Sequence, residues 1–381
     1  MSIQQITNPF LFDKEVSGTH FCGRSNDINQ LLNHIRNSVD VIMFAKKRLG
    51  KSSLIKEIFE NHLDDDILRA HIDIYPVSST KELYEKLKYG IAESLKGKES
   101  SLDKLQHKAS DLQKYFARAK ISLQLTPMPV FEIEPTSSLY HEAIMDILTG
   151  YFDYLEDNKL FSIIAIDEFQ KIASLSENAK IEEVLRTAIS KRKNCSFIFI
   201  GSERNKLLSM FNSPNRPFYK LGIEHSLGPI EQEVFYKWIL KNFKKENIIL
   251  EEDAFNYLYS ESYGETRFIQ WISYKMFELE NGMTIIDKVK MRKYIDETIL
   301  NDTGTAMYYN TFPIVQQNIL KIIAKEDGSD LYSKYVLDKY DIKKGSLQSG
   351  IERLVNAGEI FKSGDKYIFE NIELGMWLKL V

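Results

Sequence analysis

The chain is poor in cysteine and has no long uninterrupted apolar run. It contains two cysteines among 381 residues, Cys22 and Cys195, far apart and without C-x-x-C spacing. That usage disfavours a disulfide framework and favours a reducing compartment. No apolar run approaches the roughly 20 residues of a transmembrane helix, and residues 1–12 lack the pattern of a signal peptide. We therefore expect a cytoplasmic protein without a membrane segment.

Charge of one sign and clusters of metal ligands are also scarce. The 50 Lys and Arg nearly balance the 54 Asp and Glu, giving a net charge of −4. This balance argues against broad nonspecific attraction to nucleic acid. The seven histidines are scattered, and the nearest pair, His62 and His71, is not part of a metal-ligand pattern. We interpret both as ordinary residues and expect no zinc site. The hydrophobic content of 43% suffices for a core, and the length predicts two or three domains.

The most informative stretch is residues 45–53, which follows an apolar run at 39–44 and precedes a helical pattern at 54–59. Strand, tight loop, Gly-Lys-Ser and helix form the context of a phosphate-binding P-loop. Backbone N–H groups of such a loop and of the helix N-terminus point at the phosphates. The alternative is a surface loop that happens to contain Gly-Lys-Ser. The candidate nucleotide-binding residues of the loop are Ala45, Lys46, Lys47, Arg48, Leu49, Gly50, Lys51, Ser52 and Ser53.

One position departs from the P-loop pattern G-x-x-x-x-G-K-[ST], because Ala45 stands where the first glycine is usual. Alanine costs little there if its φ is negative, and it clashes if the loop requires a positive φ.

A second motif strengthens the P-loop hypothesis. Residues 161–166 form an apolar run, as expected for a central parallel strand buried on both faces. The run ends in Asp167 and Glu168, and two carboxylates at the end of a buried strand are costly unless they are used. In a P-loop ATPase the first holds Mg²⁺ and its water shell, and the second polarises the attacking water. A solvated strand end is the alternative.

The order of elements predicts an α/β P-loop NTPase core followed by a helical domain and a winged-helix domain. Alternating strands and helices over residues 1–228 imply a parallel sheet with helices on both faces. Within it, residues 97–138 look like an insertion, with a short helix at about 102–119 and a β-hairpin. Residues 229–310 are predicted as a helical lid domain, helical throughout to about residue 300. Residues 311–381, after a boundary near Pro313, show three helices and a tight hairpin, which is a winged-helix pattern.

Several separated motifs together resemble the STAND-type P-loop ATPases, specifically their archaeal-type ATPase branch. The resemblance covers nearly the whole chain. The P-loop and acidic motifs are specific, and the other motifs are weak singly but appear in the right order. They are residues 8–10, 21–24, 47–54, 166–170, 201–202 and 263–269, with the winged-helix tail. At 266 this chain has Thr where the group's helical-domain motif has Pro.

The resemblance implies roles for the central site residues. Lys51 and Ser52 would bind phosphate and Mg²⁺, Asp167 would orient the metal, and Glu168 would activate water. Lys51, Asp167 and Glu168 form the expected catalytic set, and Ser52 and Asp167 the metal site. Ser202 would lie near the γ-phosphate as a sensor, or else form only a strand-end turn.

The resemblance also implies more peripheral contacts. Gly23 and Arg24 would lie near the adenine or ribose, although a helix-capping loop is equally compatible. Lys46, Lys47 and Arg48 would add positive potential near the triphosphate, although Lys46 also suits a solvated position. Arg267 would reach a phosphate or pair with a carboxylate.

These observations predict a slowly hydrolysing ATP switch of the STAND type, with ATP or ADP and Mg²⁺ as cofactors. Nucleotide state would set the position of the winged-helix tail and signal to a protein partner or to another copy of the chain. The preference for ATP over GTP rests on the resemblance alone. The tail from Pro313 onward has ten Lys or Arg and ten Asp or Glu. Protein contact, or a lid over the nucleotide, is therefore at least as well supported as DNA binding. The alternatives are a DNA-binding regulator and a non-catalytic nucleotide-binding scaffold.

Overall fold

The computed structural model of the chain describes residues 8–96, 115, 122–125, 129–132, 140–280 and 283–381. These residues form two compact units. The first unit is Asp13–Glu231, and the second is Gln232–Val381 together with residues 8–12. The predicted division at residues 228 and 310 stays a prediction.

The first unit is built on a five-stranded sheet with the order β2-β5-β6-β1-β7, in which all neighbouring strands are parallel. Its strands are β1 (Val41–Phe44), β2 (Ile67–Asp73), β5 (Phe161–Asp167), β6 (Cys195–Gly201) and β7 (Ile223–Ser226). The central strands β1, β5 and β6 are apolar almost throughout, because both faces of a parallel sheet are covered by helices.

Alternate residues of each strand enter different hydrophobic clusters. Val41 and Met43 pack with the helices at 25–36 and 51–61, named α1 and α2 below. Ile42 and Phe44 pack on the other face with the other helices of this unit. Helices thus cover both faces of the sheet, and the predicted fold class is confirmed. The helices of this unit are α1 (Ser25–Arg36), α2 (Lys51–Asn61), α3 (Thr80–Lys96), α4 (Tyr140–Asp157), α5 (Asn178–Ser190) and α6 (Arg204–Asn212).

The register brings the carboxyl ends of the strands to one edge of the sheet. Phe44 of β1 is the partner of Gly201 of β6, and Asp73 of β2 is the partner of Asp167 of β5. The residues that follow these strands therefore meet at that edge, which is where open α/β sheets bind ligands. Strand β2 reaches this edge at Asp73, where it ends.

A buried carboxylate fixes the other end of the sheet. Asp40 is 2% exposed, accepts a hydrogen bond from the Phe197 N–H at 2.9 Å and lies 3.0 Å from the Arg192 guanidinium. Its backbone carbonyl accepts the Ile223 N–H at 2.9 Å. One residue before β1 therefore ties together the strands on both sides of β1.

The predicted insertion is described only in part. Strands β3 (Ser122–Leu125) and β4 (Pro129–Glu132) pair antiparallel, as predicted for the two arms of a hairpin. Except for Tyr115, the predicted helix at 102–119 lies outside the described residues.

The second unit begins with a helical segment. Its helices are α7 (Gln232–Phe243), α8 (Glu252–Glu261), α9 (Thr266–Leu279), α10 (Lys288–Leu300) and α11 (Thr303–Asn310). The prediction that this segment is helical throughout was wrong, because β8 (Ile248–Leu250) and β9 (Thr284–Ile286) form a parallel pair. Both strands are three residues long and rich in β-branched side chains, which favour the extended backbone. So short a run carries too little periodicity to be detected in the sequence.

Residues 8–12 complete the core of this helical segment. Phe10 is fully buried and packs edge-on against Trp238, Phe243 and Phe277, with ring centroids 5.1–5.9 Å away. Asn8 donates a hydrogen bond to the Tyr274 carbonyl at 3.0 Å. The beginning of the described chain is thus packed among residues more than two hundred positions later.

The tail has the helix–helix–helix–hairpin order predicted for a winged helix. It consists of α12 (Ile314–Lys325), α13 (Lys334–Lys339), α14 (Lys344–Asn356), the antiparallel strands β10 (Ile360–Ser363) and β11 (Lys366–Phe369), and α15 (Ile372–Leu380). Helix α15 was not predicted from the sequence. Ile319, Leu347, Ile351 and Leu378 are all buried in the core of this tail. Among the described residues, every helix is too short or too polar to cross a membrane.

Candidate functional site

The loop between β1 and α2 adopts a tight turn that depends on two left-handed residues, Arg48 (φ +66°) and Gly50 (φ +89°). Helix α2 then begins at Lys51. Ala45 lies outside the left-handed region, is 6% exposed, and its N–H donates to the Gly201 carbonyl at 3.3 Å. The condition under which alanine costs little at this position is therefore met.

The two principal motifs meet at the start of α2. The Ser52 hydroxyl donates to Oδ2 of Asp167 at 2.8 Å, across 115 positions of sequence. Asp167 is 7% exposed, and its Oδ1 accepts the Glu168 N–H at 2.8 Å. Lys51 is also a largely buried residue, at 8% exposed. The structure thus places the predicted phosphate and metal residues side by side at the carboxyl edge of the sheet.

The second acidic residue is held by a separate pair of donors. Glu168 has a left-handed backbone (φ +57°), and its Oε2 accepts hydrogen bonds from the Ser202 hydroxyl at 2.9 Å and from the Gln170 amide. Gln170 is fully buried, and a Cβ atom at Gly201 would come within 2.3 Å of its Oε1. A side chain at position 201 would therefore displace the Gln170 amide that donates to Glu168.

Such an arrangement has a chemical use. A carboxylate held by two donors has a fixed orientation, and Glu168 keeps further lone pairs with which to orient or deprotonate a water molecule. Ser202 lies beside the acidic pair, as the sensor assignment requires, although its proposed contact with phosphate stays a prediction. No role was predicted for Gln170 from its place in the sequence.

The residues at this edge fit a bound Mg²⁺. The cation prefers oxygen ligands and keeps several waters, so Ser52 and Asp167 suffice for the protein's share when a nucleotide supplies phosphate oxygens. An enclosed polar atom points to the same place. Nε2 of His71 lies 4.0 Å from Oδ2 of Asp167 and has no hydrogen-bond partner among the described residues. Three or more His, Cys, Asp or Glu side chains do not converge on a metal site anywhere in the described ranges. A Mg²⁺ ion held by Ser52 and Asp167 would take its remaining ligands from a nucleotide and from water.

Arg24 contacts the P-loop through a hydrogen bond to its backbone. It is 9% exposed, its guanidinium donates to the Leu49 carbonyl at 2.8 Å, and Asp27 lies 3.5 Å away. Burial opposes ionisation of Asp27, but the hydrogen bond with His225 and the charge of Arg24 outweigh it and lower the pKa of that carboxyl. Gly23, with φ +67°, leads into Arg24. Contact of either residue with adenine or ribose stays a prediction.

The other loop residues differ in exposure. Lys47 is exposed, whereas Lys46 and Arg48 are half-buried. Ser53 accepts the Val16 N–H at 3.2 Å, which fastens the preceding N-terminal segment to α2.

Arg267 belongs to the second unit. Its guanidinium lies 5.9 Å from the Phe12 ring centroid and 5.6 Å from that of Trp271, and it forms an ion pair with Glu373 of α15. The structure thus shows the carboxylate pairing that was one of its two interpretations. The phosphate contact stays a prediction.

Comparisons with known proteins agree with this architecture. No protein-family model matches the chain. The chain is 23% identical over 381 aligned residues to an uncharacterised ATP-binding protein of Methanocaldococcus jannaschii, covering 95% of this chain and 90% of that protein. The fold is similar to that of a Walker-type ATPase of Pyrococcus abyssi, with a TM-score of 0.64, 15% identity and coverage of 97% and 99% of the two chains. It is also similar to the Aeropyrum pernix ORC2 protein in its ADPNP–ADP complexes, with a TM-score of 0.56, 13% identity and coverage of 97% and 95%.

Proposed function

We propose that this chain is an ATP-binding and ATP-hydrolysing molecular switch. The observation that carries the proposal is the hydrogen bond between Ser52 and Asp167, which joins the Gly-Lys-Ser loop to the acidic strand end. A serine and a buried carboxylate in contact beside the N-terminus of a helix form a place for a metal-bound polyphosphate. The ATP-binding relative and the Walker-type ATPase fold support the same function.

In this proposal each residue has a distinct role. Lys51 and the N–H groups at the start of α2 bind the β- and γ-phosphates, and Ser52 and Asp167 hold Mg²⁺, which would neutralise developing phosphate charge. Glu168 orients and activates the attacking water. Ser202 keeps the Glu168 carboxylate in place.

We further propose that the switch is of the STAND type, with slow turnover and output through the tail to a protein partner or to a second copy of the chain. The ion pair between Arg267 of α9 and Glu373 of α15 supports the idea that the tail follows the helical segment. Glu373 is 4% exposed, so the carboxylate of this ion pair is buried rather than on the surface.

DNA binding is the second candidate. The exposed side of α14 carries polar residues suited to a groove, including Lys344, Ser346 and Gln348. The equal numbers of acidic and basic residues in the tail weigh against it, because DNA-binding surfaces are usually basic. Strongly salt-dependent binding to duplex DNA would favour this candidate.

The test of the main proposal compares phosphate release by the wild type, Glu168→Gln and Glu183→Gln. Glu183 is exposed on α5 and serves as the matched control. We expect the wild type and the control to hydrolyse ATP at equal rates and Glu168→Gln to bind ATP without releasing phosphate. If the wild type binds ATP yet releases no more phosphate than Glu168→Gln under all partner conditions, the chain is a non-catalytic scaffold. Mass spectrometry of protein purified without added nucleotide tests binding separately, through retained ADP.

A further inference from the structure

His71 lies on the strand next to the acidic strand, and on the face that carries the P-loop helix. In the β2–β5 register His71 is the partner of Ala165, and Asp73 is the partner of Asp167. Ala165 belongs to the cluster that packs with α1 and α2, whereas Ile72 belongs to the cluster on the opposite face. Because side chains alternate along a strand, His71 and Asp167 share one face of the sheet.

The imidazole is held close to Asp167 but does not hydrogen-bond to it. Its ring meets the Phe59 ring edge-on, with centroids 6.5 Å apart. Nε2 lies 4.0 Å from Oδ2 of Asp167, which is too long for a hydrogen bond. Nε2 is enclosed and has no hydrogen-bond partner among the described residues, a condition that costs free energy. An ion pair with Asp167 at 4.0 Å would still leave Nε2 without a hydrogen bond, whereas coordination of a cation would give it a partner.

We propose that His71 is a further residue of the cation site formed by Ser52 and Asp167. Its nitrogen adds a ligand type that an all-oxygen magnesium site lacks. Imidazole suits transition ions better than Mg²⁺, so the site should accept Mn²⁺ more readily than it would with oxygen ligands alone. This inference rests on the proposed function, because a nucleotide supplies the other oxygen ligands.

The experiment measures Mn²⁺ binding to the full chain with saturating ADP by electron paramagnetic resonance. His71→Phe keeps a ring against Phe59 but removes the nitrogen, and His71→Gln is the second variant. His62→Gln, at the far end of α2, is the matched control. We expect His71→Phe to bind Mn²⁺ about tenfold more weakly and to show a smaller loss for Mg²⁺, measured by competition. His62→Gln should match the wild type.

A spectroscopic readout separates metal contact from a packing role. Pulsed electron paramagnetic resonance of Mn²⁺ and ADP on the wild type, with only histidine labelled with ¹⁵N, should show a ¹⁵N coupling. His71→Gln should abolish it and His62→Gln should retain it. This measurement holds even if His71→Phe fails to fold.

Two results would overturn the inference while leaving the proposed function intact. One is a wild type that binds ADP and Mn²⁺ without any histidine coupling. The other is an equal loss of Mg²⁺ and Mn²⁺ in the His71 variants, since that would assign His71 only to the placement of Asp167. A wild type that binds no ADP would overturn the proposed function, and this inference with it.

Discussion

The sheet unit and the tail differ in how far their carboxylates are buried and in what stabilises them. The sheet unit encloses several carboxylates, each less than a tenth exposed, namely Asp40, Glu57, Asp167 and Glu182. Burial raises the pKa of both Asp40 and Glu182. In the tail, by contrast, hydrogen bonds from Lys366 and Lys379 lower the pKa of the exposed Asp327.

The contrast shows where each region can tolerate change. A buried carboxylate needs partners that hold it, as Asp167 has in Ser52 and the Glu168 backbone. A surface carboxylate contributes little and can be exchanged. The tail has an exception in Glu373, which is 4% exposed and paired with Arg267, so its replacement should cost more than that of a surface carboxylate.

The largest effect should come from the cation of the P-loop. Lys51→Ala should weaken ATP binding about 100-fold, or close to 3 kcal/mol, because the ammonium group proposed to contact the phosphates is lost. Isothermal titration calorimetry measures this, with the exposed Lys47→Ala as control. Equal losses in both variants would show that the site responds to diffuse positive charge rather than to a specific contact of Lys51.

A stability test addresses the same contrast at the opposite end of the sheet. Asp40→Ala should destabilise the sheet unit by about 2–3 kcal/mol, because it leaves the Phe197 N–H and Arg192 without their partner. Asp40→Asn retains an acceptor and should cost about half as much. Hydrogen exchange of the β6 amides reports the change. No difference between the two variants would mean that the backbone hydrogen bond is unimportant.

A smaller kinetic effect should follow from removing one of the hydrogen bonds to Glu168. Ser202→Ala should slow phosphate release about tenfold and leave ADP affinity unchanged, because the carboxylate loses one of its donors. The exposed Ser209→Ala on α6 is the control. Added to Glu168→Gln, the Ser202→Ala change should have almost no further effect. An additive loss would assign Ser202 a role of its own.

The smallest effect should come from the tail. Asp327→Asn should destabilise it by about half a kcal/mol at pH 7, because both lysine contacts weaken. The folded-state pKa of Asp327 lies below the unfolded value of 3.8, so its contribution is present above that pH and is lost as the pH falls through the folded pKa. Hydrogen exchange of β11 at pH 7 and below pH 3.8 should show the difference between wild type and variant shrinking. A difference that grows in acid would contradict the assignment.

The sequence supported the layout of the site but not its finer contacts. Gly-Lys-Ser before a helix and a carboxylate pair after an apolar run are local patterns, and each fixes its own position at the edge of a parallel sheet. From these patterns the meeting of Ser52 and Asp167 could be expected. The left-handed backbone of Glu168 and its contact with Gln170 depend on packing, which no local pattern specifies.

The position of His71 beside Asp167 was only partly predictable from the sequence. Alternation in His71-Ile72-Asp73 places the histidine on the same face as Asp73. Only the strand order, with β2 beside β5, brings that face to Asp167. Strand order depends on contacts distant in sequence, so spacing alone left His71 as an ordinary residue. The short β8–β9 pair and helix α15 were missed because their patterns are too short or too uniformly apolar to show a period.

The buried position of Phe10 has a consequence for how the protein is made. Its aromatic partners Trp238, Phe243 and Phe277 lie more than two hundred residues further along the chain. At a synthesis rate of about 5–20 residues per second, Phe10 leaves the ribosome on the order of ten to fifty seconds before Phe277. Residues 13–231 are complete before then and can fold as they emerge. Phe10 therefore cannot reach its final position until these partners have been synthesised, by which time residues 13–231 have already been made.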